Sequence, residues 1–256
     1  MSSADSYIDA QEKLMTLNLL QIAFKEFETY DSMRLALQRN GVEVSIANLS
    51  RYIYGKAIPK SKLKDELLRA ITQDAKFSLS IKKLIENLVK HYVDDFNNVR
   101  LSILPLLNDS KTMKAISFLL IYKEIVPRDI DKIITIEGDG VPFAMTLAHI
   151  LNIDCLVARR LKPLGIDDFI TSEIQKATQG RIESIGISEK SIQNQEKLLV
   201  VDDVIKSGAT HSALIELVKK CNAEPVKLVF LTGIGSHWEQ QKELSDIELN
   251  ILKIYY

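Results

Sequence analysis

The chain has 256 residues, 46% of them hydrophobic and 26% charged, which excludes a disordered tail protein or a collagen-like fibre and favours two domains over one. Its 33 basic and 34 acidic side chains leave a formal charge of -1, so no overall basic excess announces nucleic acid or an anionic membrane; such a partner needs a local patch. Cys155 and Cys221 are too few for a disulfide framework or a cysteine-rich zinc site and are expected to be buried thiols. The longest apolar run, residues 115–122, falls far short of the roughly 20 residues that span a bilayer. The opening Met-Ser-Ser-Ala-Asp-Ser lacks the basic flank and apolar stretch of a secretory signal, so a reducing cytoplasm is the expected compartment.

In chain order, residues 11–30 predict a helix with Leu14, Leu17, Leu20, Ile22, Ala23 and Phe27 close to one face. Asp31 or Ser32 is expected to cap a second helix that Gly41 stops, and Ser45 a third that ends before Gly55 and Pro59. Ser61 opens a fourth through Ile71, and residues 80–92 predict a longer amphipathic connecting helix. From about Lys132 the pattern changes to short Val- and Ile-rich runs alternating with helix-length segments, which is α/β. Strands are predicted at 132–136, 153–158, 197–201, 226–231 and 249–254, with helices at 142–151 and 209–221. Residues 161–180 fit neither periodicity and predict a long loop, of the kind that often serves as a lid.

The strongest signal is Leu198-Leu199-Val200-Val201-Asp202-Asp203-Val204-Ile205-Lys206-Ser207-Gly208-Ala209-Thr210. Four apolar residues suit a central parallel strand, and two carboxylates emerge at its carboxyl end, where open α/β sheets place their ligands. The small, hydroxyl-rich turn then opens a helix, so backbone amides from Ser207 to Thr210 can surround a phosphate. Asp202 and Asp203 can accept hydrogen bonds from sugar hydroxyls, so the spacing describes a ribose phosphate. These thirteen residues resemble the phosphoribosyl pyrophosphate (PRPP) signature of the type I phosphoribosyltransferases.

That resemblance implies a parallel sheet flanked by helices, preceded here by an all-α domain. It implies PRPP contacts at Asp202, Asp203, Lys206, Ser207, Gly208, Ala209 and Thr210, and a pyrophosphate loop at Glu137, Gly138, Asp139 and Gly140. It also implies a flexible hood with cations at Arg159, Arg160 and Lys162, and Mg2+ carried by PRPP rather than by protein ligands. No catalytic residue is assigned. The stretch from Ala158 to Ser188, with the signature, looks most like the purine branch: xanthine phosphoribosyltransferases and bacterial purine-operon repressors. Lys206 departs from the acid, alanine or hydroxyl of several enzymes and matches those repressors, which bind PRPP without transferring it. Asp167 and Asp168 add negative charge to a hood that would bind pyrophosphate. The segment from Gly233 to Trp238 either stacks a purine on Trp238 or packs, and His211 is the one histidine near the proposed site.

From Asp31 to Lys64, seven basic residues (Arg34, Arg39, Arg51, Lys56, Lys60, Lys62, Lys64) stand against two acids (Asp31, Glu43), a local charge of +5. The run from Leu49 to Pro59 resembles the end of the recognition helix and the following turn in lambda-repressor-like domains, although the turn from Ala36 to Gly41 is one residue longer than usual. Ser45, Asn48, Ser50, Arg51 and Lys56 are the expected nucleic-acid contacts. An oligomerisation domain with a solvated basic face is the alternative, and Tyr52 and Tyr54 leave single-stranded RNA binding open.

The sequence therefore predicts a helix-turn-helix domain over residues 1–77, a connecting segment over 78–100 and a PRPP-binding domain over 101–256. The expected protein is a homodimeric, DNA-binding transcriptional regulator of nucleotide metabolism that senses PRPP or a nucleotide and does not touch membranes. The competing readings are an active purine or orotate phosphoribosyltransferase, and an RNA-binding PRPP-responsive regulator.

Overall fold

The computed structural model describes residues 3–74, 77, 83, 86, 89–93, 99–174 and 183–255. The chain divides into two compact units, Met1–Lys90 with Leu101–Phe118, and His91–Arg100 with Leu119–Tyr256.

The first unit opens with helix α1 (Ser3–Phe24). It buries Met15, Leu19, Leu20 and Ala23, a stripe that leaves Leu14 off the face and 45% exposed, against its predicted inward position. The helix stops six residues before the expected Tyr30, because Thr29 is extended and caps the next one. Thr29, not Asp31 or Ser32, caps α2 (Tyr30–Arg39): its hydroxyl accepts from the Ser32 amide at 3.1 Å while the Ser32 hydroxyl accepts from the Thr29 amide at 3.2 Å. Asp31 instead accepts from the Arg34 guanidinium. Helix α3 (Ile46–Ile53) is capped as expected by Ser45, which accepts from the Asn48 amide. It buries Leu49, Tyr52 and Ile53, and α4 (Ser61–Gln73) buries Leu67, Leu68 and Ile71. Both pack on α1, and α2 packs on both.

One predicted member of the basic patch is not at the surface. Lys64 is buried and its ammonium meets Glu12 at 2.6 Å, Asp65 at 3.0 Å and Asp9 at 3.1 Å, tying α4 to α1. Burial opposes its charge, but these carboxylates outweigh it and hold the lysine above its ordinary range.

The connecting helix predicted at 80–92 lies mostly outside the described residues. Its end is a strand, β1 (Lys90–Val93), in a two-stranded sheet with β2 (Val99–Ser102), as suits the aromatic and β-branched run Tyr92-Val93. Two further helices follow, α5 (Leu104–Leu107) and α6 (Ser110–Tyr122).

The second unit is built on a parallel sheet of β3 (Lys132–Ile136), β4 (Asp154–Ala158), β7 (Lys197–Ile205), β8 (Glu224–Ile234) and β9 (Glu248–Tyr255), in the order β4-β3-β7-β8-β9. Ile134, Ile136, Leu198, Val200, Leu228 and Phe230 join one buried cluster with Leu214, Leu217 and Val218 of α8 (Ala209–Lys220). The alternate residues Ile133, Thr135, Leu199 and Val201 are also buried and face the other side. Helix α7 (Val141–Leu151) packs on β3, β4 and β7. Burial of both faces is why these strands read as unbroken apolar runs.

The predicted loop at 161–180 contains a strand. β5 (Phe169–Ile174) pairs antiparallel with β6 (Glu183–Ser188), while residues 175–182 lie outside those described. The inward positions of β5 include Ser172, whose hydroxyl donates to Glu216 at 2.8 Å, so a buried polar side chain hid the apolar alternation. Cys221 is buried, but Cys155 on β4 is only partly so; burial raises its thiol to about 11.

Candidate functional site

β7 delivers Asp202 and Asp203 to the carboxyl edge of the sheet, between β3 and β8. The turn Lys206-Ser207-Gly208 reverses the chain into α8; Gly208 caps that helix with φ 78°, a left-handed conformation a side chain would strain. Lys206 and Ser207 are exposed, and Gly208 and Ala209 are buried. The first helical hydrogen bond is from the Ser212 amide to the Gly208 carbonyl, so the preceding amides are left at the positive end of α8, beside the acid pair. The strand end, turn and helix start thus hold the predicted motif together in one stretch: two carboxylates, two hydroxyl side chains and a set of backbone donors.

The two carboxylates are not equivalent. Asp202 accepts from the Asp203 amide at 2.9 Å, and its other oxygen lies 2.9 Å from His211 Nε2, which donates in the tautomer protonated there. The His211 ring is buried and stands edge-on to Phe230, centroids 4.7 Å apart. Burial, then the charge and hydrogen bond of Asp202, push Asp203 up from 3.8 to about 8.

The loop Glu137-Gly138-Asp139-Gly140 joins β3 to α7 and meets Asp202. A Cβ on Gly140 would stand 1.8 Å from Asp202 Oδ1, so the absence of a side chain is what admits this loop. Gly138 and Asp139 are exposed and Gly140 is buried. Glu137 faces the next loop, where it accepts from the Arg160 amide at 2.9 Å and lies 3.9 Å from the Arg159 guanidinium.

Of the hood cations, Arg159 is held by backbone hydrogen bonds to Gly186 and its side chain is exposed. Arg160 is paired with Glu183 at 2.9 Å, and Lys162 reaches the Asp167 carbonyl at 3.3 Å. Asp168 does not add a loose charge to the hood: it accepts from the Ser188 hydroxyl and the Lys190 amide, which overcome a desolvation cost and lower its pKa.

Sequence reasoning named Trp238 near the site but not Gln241, which flanks the turn between β7 and α8. Gln241 donates to the Ser207 carbonyl at 3.1 Å and accepts from the Ser212 hydroxyl at 3.3 Å. Trp238 is buried against Gly208 and Gly233, where added Cβ atoms would come within 3.2 Å and 3.0 Å of it, so it packs. Only the residue types Gln and Trp after a strand were available as signal, and neither has a fixed spacing to the motif.

A second candidate surface lies on the helical unit. Ser45, Asn48, Arg51 and Lys56 are exposed and Ser50 is partly so, around the acid-free α3. Tyr52 is buried, while Tyr54 is 65% exposed with the Lys56 ammonium 5.7 Å from its ring. Lys60 and Lys62 are exposed nearby in sequence. Among the described residues, no cluster of acidic, histidine or cysteine side chains could hold a metal ion, and no helix is long and apolar enough to cross a membrane.

Comparison with known proteins matches the family "Phosphoribosyl transferase domain" to residues 102–253, more than half of the chain. Xanthine phosphoribosyltransferase of Staphylococcus epidermidis is 29% identical over 106 residues, 41% of this chain and 55% of that protein. The probable purine biosynthesis transcriptional regulator PurR of Streptococcus pneumoniae is 29% identical over 136 residues, 53% of this chain and 48% of that protein. The chain therefore spans about half the length of these relatives. Among solved structures, adenine phosphoribosyltransferase of Thermoanaerobacter pseudethanolicus has a TM-score of 0.59 at 22% identity, covering 68% of this chain and 99% of that one. The enzyme of the same description from Rhodothermus marinus has a TM-score of 0.60 at 18% identity, covering 69% and 99%. At these identities the likeness is one of fold.

Proposed function

Because the chain belongs to the phosphoribosyl transferase domain family, we propose that it is a regulator whose helical unit binds DNA and whose α/β unit senses PRPP or a nucleotide. The observation that carries this reading is the acid-free, exposed face of α3 in the same chain as an acid pair followed by a glycine turn and a helix start. Similarity to the probable purine biosynthesis regulator supports it, and with it a role in nucleotide metabolism. In this reading Asp202 and Asp203 hold the ribose hydroxyls, the amides of Ser207 to Thr210 the 5-phosphate, and Glu137 to Gly140 the pyrophosphate. Arg159, Arg160 and Lys162 supply positive charge at the rim. An acid pair falls short of a protein-only metal cage, so Mg2+ belongs to this site as PRPP's companion, offsetting pyrophosphate charge.

The protein acts in the cytoplasm as a homodimer in this proposal, since paired helix-turn-helix units read two half-sites. PRPP shifts the DNA equilibrium only as far as its affinity differs between two arrangements of that dimer. The test is DNA binding by fluorescence anisotropy with and without PRPP and Mg2+, on the full chain and on Asp202→Asn/Asp203→Asn. Retained DNA binding with a lost PRPP response supports the reading, and a PRPP response that survives the double substitution rejects it. Similarity to xanthine phosphoribosyltransferase favours a second reading, a working transferase. Pyrophosphate release from PRPP with any common purine, or with orotate, would establish that one.

A further inference from the structure

Ile46, the first residue of α3, is 44% exposed. Ala47 and Asn48 beside it are exposed too, and Arg51 follows one turn later. A lone exposed isoleucine is ordinary on a protein surface. This one stands at the amino end of the helix that carries the candidate contacts, and the core does not require it: Leu49, Tyr52 and Ile53 are the buried residues of α3. The helix contains no acid; Arg51, Lys56, Lys60 and Lys62 are exposed in and after it against the exposed acid Glu43 just before it, so on balance the surface is complementary to a polyanion.

A polyanion that also presents apolar groups to a helix is duplex DNA. On base edges in the major groove, thymine presents a C5-methyl group, and adenine presents an N7 acceptor beside an N6 donor, which an asparagine amide matches bidentately. Uracil has no such methyl, and the major groove of A-form RNA is too narrow for a helix. We infer that α3 reads A·T pairs in duplex DNA, with Ile46 and Ala47 against thymine methyl groups and Asn48 on an adenine edge. The inference rests on the DNA-binding reading above and adds which bases are read, and by what chemistry.

The test begins by enriching a random duplex pool on the full-length chain and sequencing the bound fraction. Each thymine of an enriched duplex is then replaced singly by deoxyuridine, which removes one methyl and leaves pairing intact. The expected result is a loss of about fourfold in affinity at each contacted thymine, the worth of one buried methyl. Ile46→Ala should lose sensitivity at one of those thymines while keeping it at others, a coupling that a structural role for Ile46 would not produce. Duplexes bound equally with thymine and uracil overturn the inference and leave DNA binding standing, as does Ile46→Ala with full sensitivity at every position. Preference for RNA hairpins over every duplex, or no enrichment of any duplex, overturns both.

Discussion

Gly140→Ala tests how tightly the loop after β3 is fitted to the acid pair. The new methyl would stand 1.8 Å from Asp202 Oδ1, 2.9 Å from its Cγ and 3.1 Å from its Cα. Swinging the carboxylate aside relieves the first two contacts but not the third, which is backbone. It also gives up the 2.9 Å bonds to the Asp203 amide and to His211. Overpacking costs about 1–3 kcal/mol, and each lost hydrogen bond to a charged group about 1.5–3 kcal/mol where water does not replace it. Since Asp202 keeps some access to water, we take about 3 kcal/mol for the whole change, a fall of roughly 10 °C in the melting temperature of a unit this size. Gly140 has φ −72°, so backbone strain adds nothing and the effect is steric. Scanning calorimetry reads the stability, and isothermal titration with PRPP and Mg2+ reads the site, where a displaced Asp202 should weaken binding about tenfold or more. A variant that melts and binds like the parent would refute this fit between loop and acids.

Asp203 sets a pH dependence. Its pKa is raised in the folded chain to about 8, so the folded state keeps a proton that the unfolded chain has released above about 4. The stabilisation is complete below that lower value and is lost as the pH climbs through 8. Melting temperatures of the ligand-free protein should fall from pH 5 to 8, Asp203→Asn should flatten the fall, and an identical slope in the variant would remove Asp203 as its source. Lys64→Met breaks the tie between α1 and α4 and takes the buried ammonium away from Asp9 and Glu12; because Asp9 keeps Lys13 and both carboxylates keep some solvent contact, the expected loss is about 2 kcal/mol rather than the full cost of a buried unpaired charge. Thermal melts followed by far-ultraviolet circular dichroism should show it, and an unchanged melt would mean the tie contributes nothing. Arg51→Ala/Lys56→Ala should weaken DNA binding on every sequence and make the slope of log K against log salt shallower by about 1.8, roughly 0.9 per lost phosphate contact. An unchanged slope would take this surface off the DNA.

The parts of the fold that were legible are those whose signal is local. β7 announced itself because a strand covered on both faces is apolar at every position, and the turn after it because Ser-Gly before a helix has few other uses. β5 was hidden because Ser172 occupies an inward position, satisfied by Glu216 on α8, forty-four residues away. Lys64 was misplaced for the same reason: a charge count over residues 31–64 sees six other exposed or locally paired cations of like sign, but not Asp9 and Glu12 of α1, which pull this one inward. The cap of α2 fell one turn early because Thr29 and Ser32 form a reciprocal box that neither residue declares alone. Gln241 reaches the turn between β7 and α8 through a fold-dependent contact with no sequence spacing to betray it.

The acid pair explains why so much of the site is close packing rather than charge. Adjacent carboxylates at a buried strand end repel one another and resist ionising together: burial and the neighbouring Asp202 raise Asp203 to about 8, and His211 stands against Asp202. A ligand with vicinal hydroxyls supplies the donors that Asp202 accepts and an oxygen to which protonated Asp203 can donate. Under the proposed function, the sugar therefore decides admission and the phosphate decides position. A buried polar pair left unmatched rejects an analogue lacking a hydroxyl far more strongly than an apolar pocket rejects one lacking a methylene. Gly140 then has a role that charge alone would not assign: by offering no side chain, it lets the loop after β3 close on the Asp202 carboxylate that reads the sugar in this proposal.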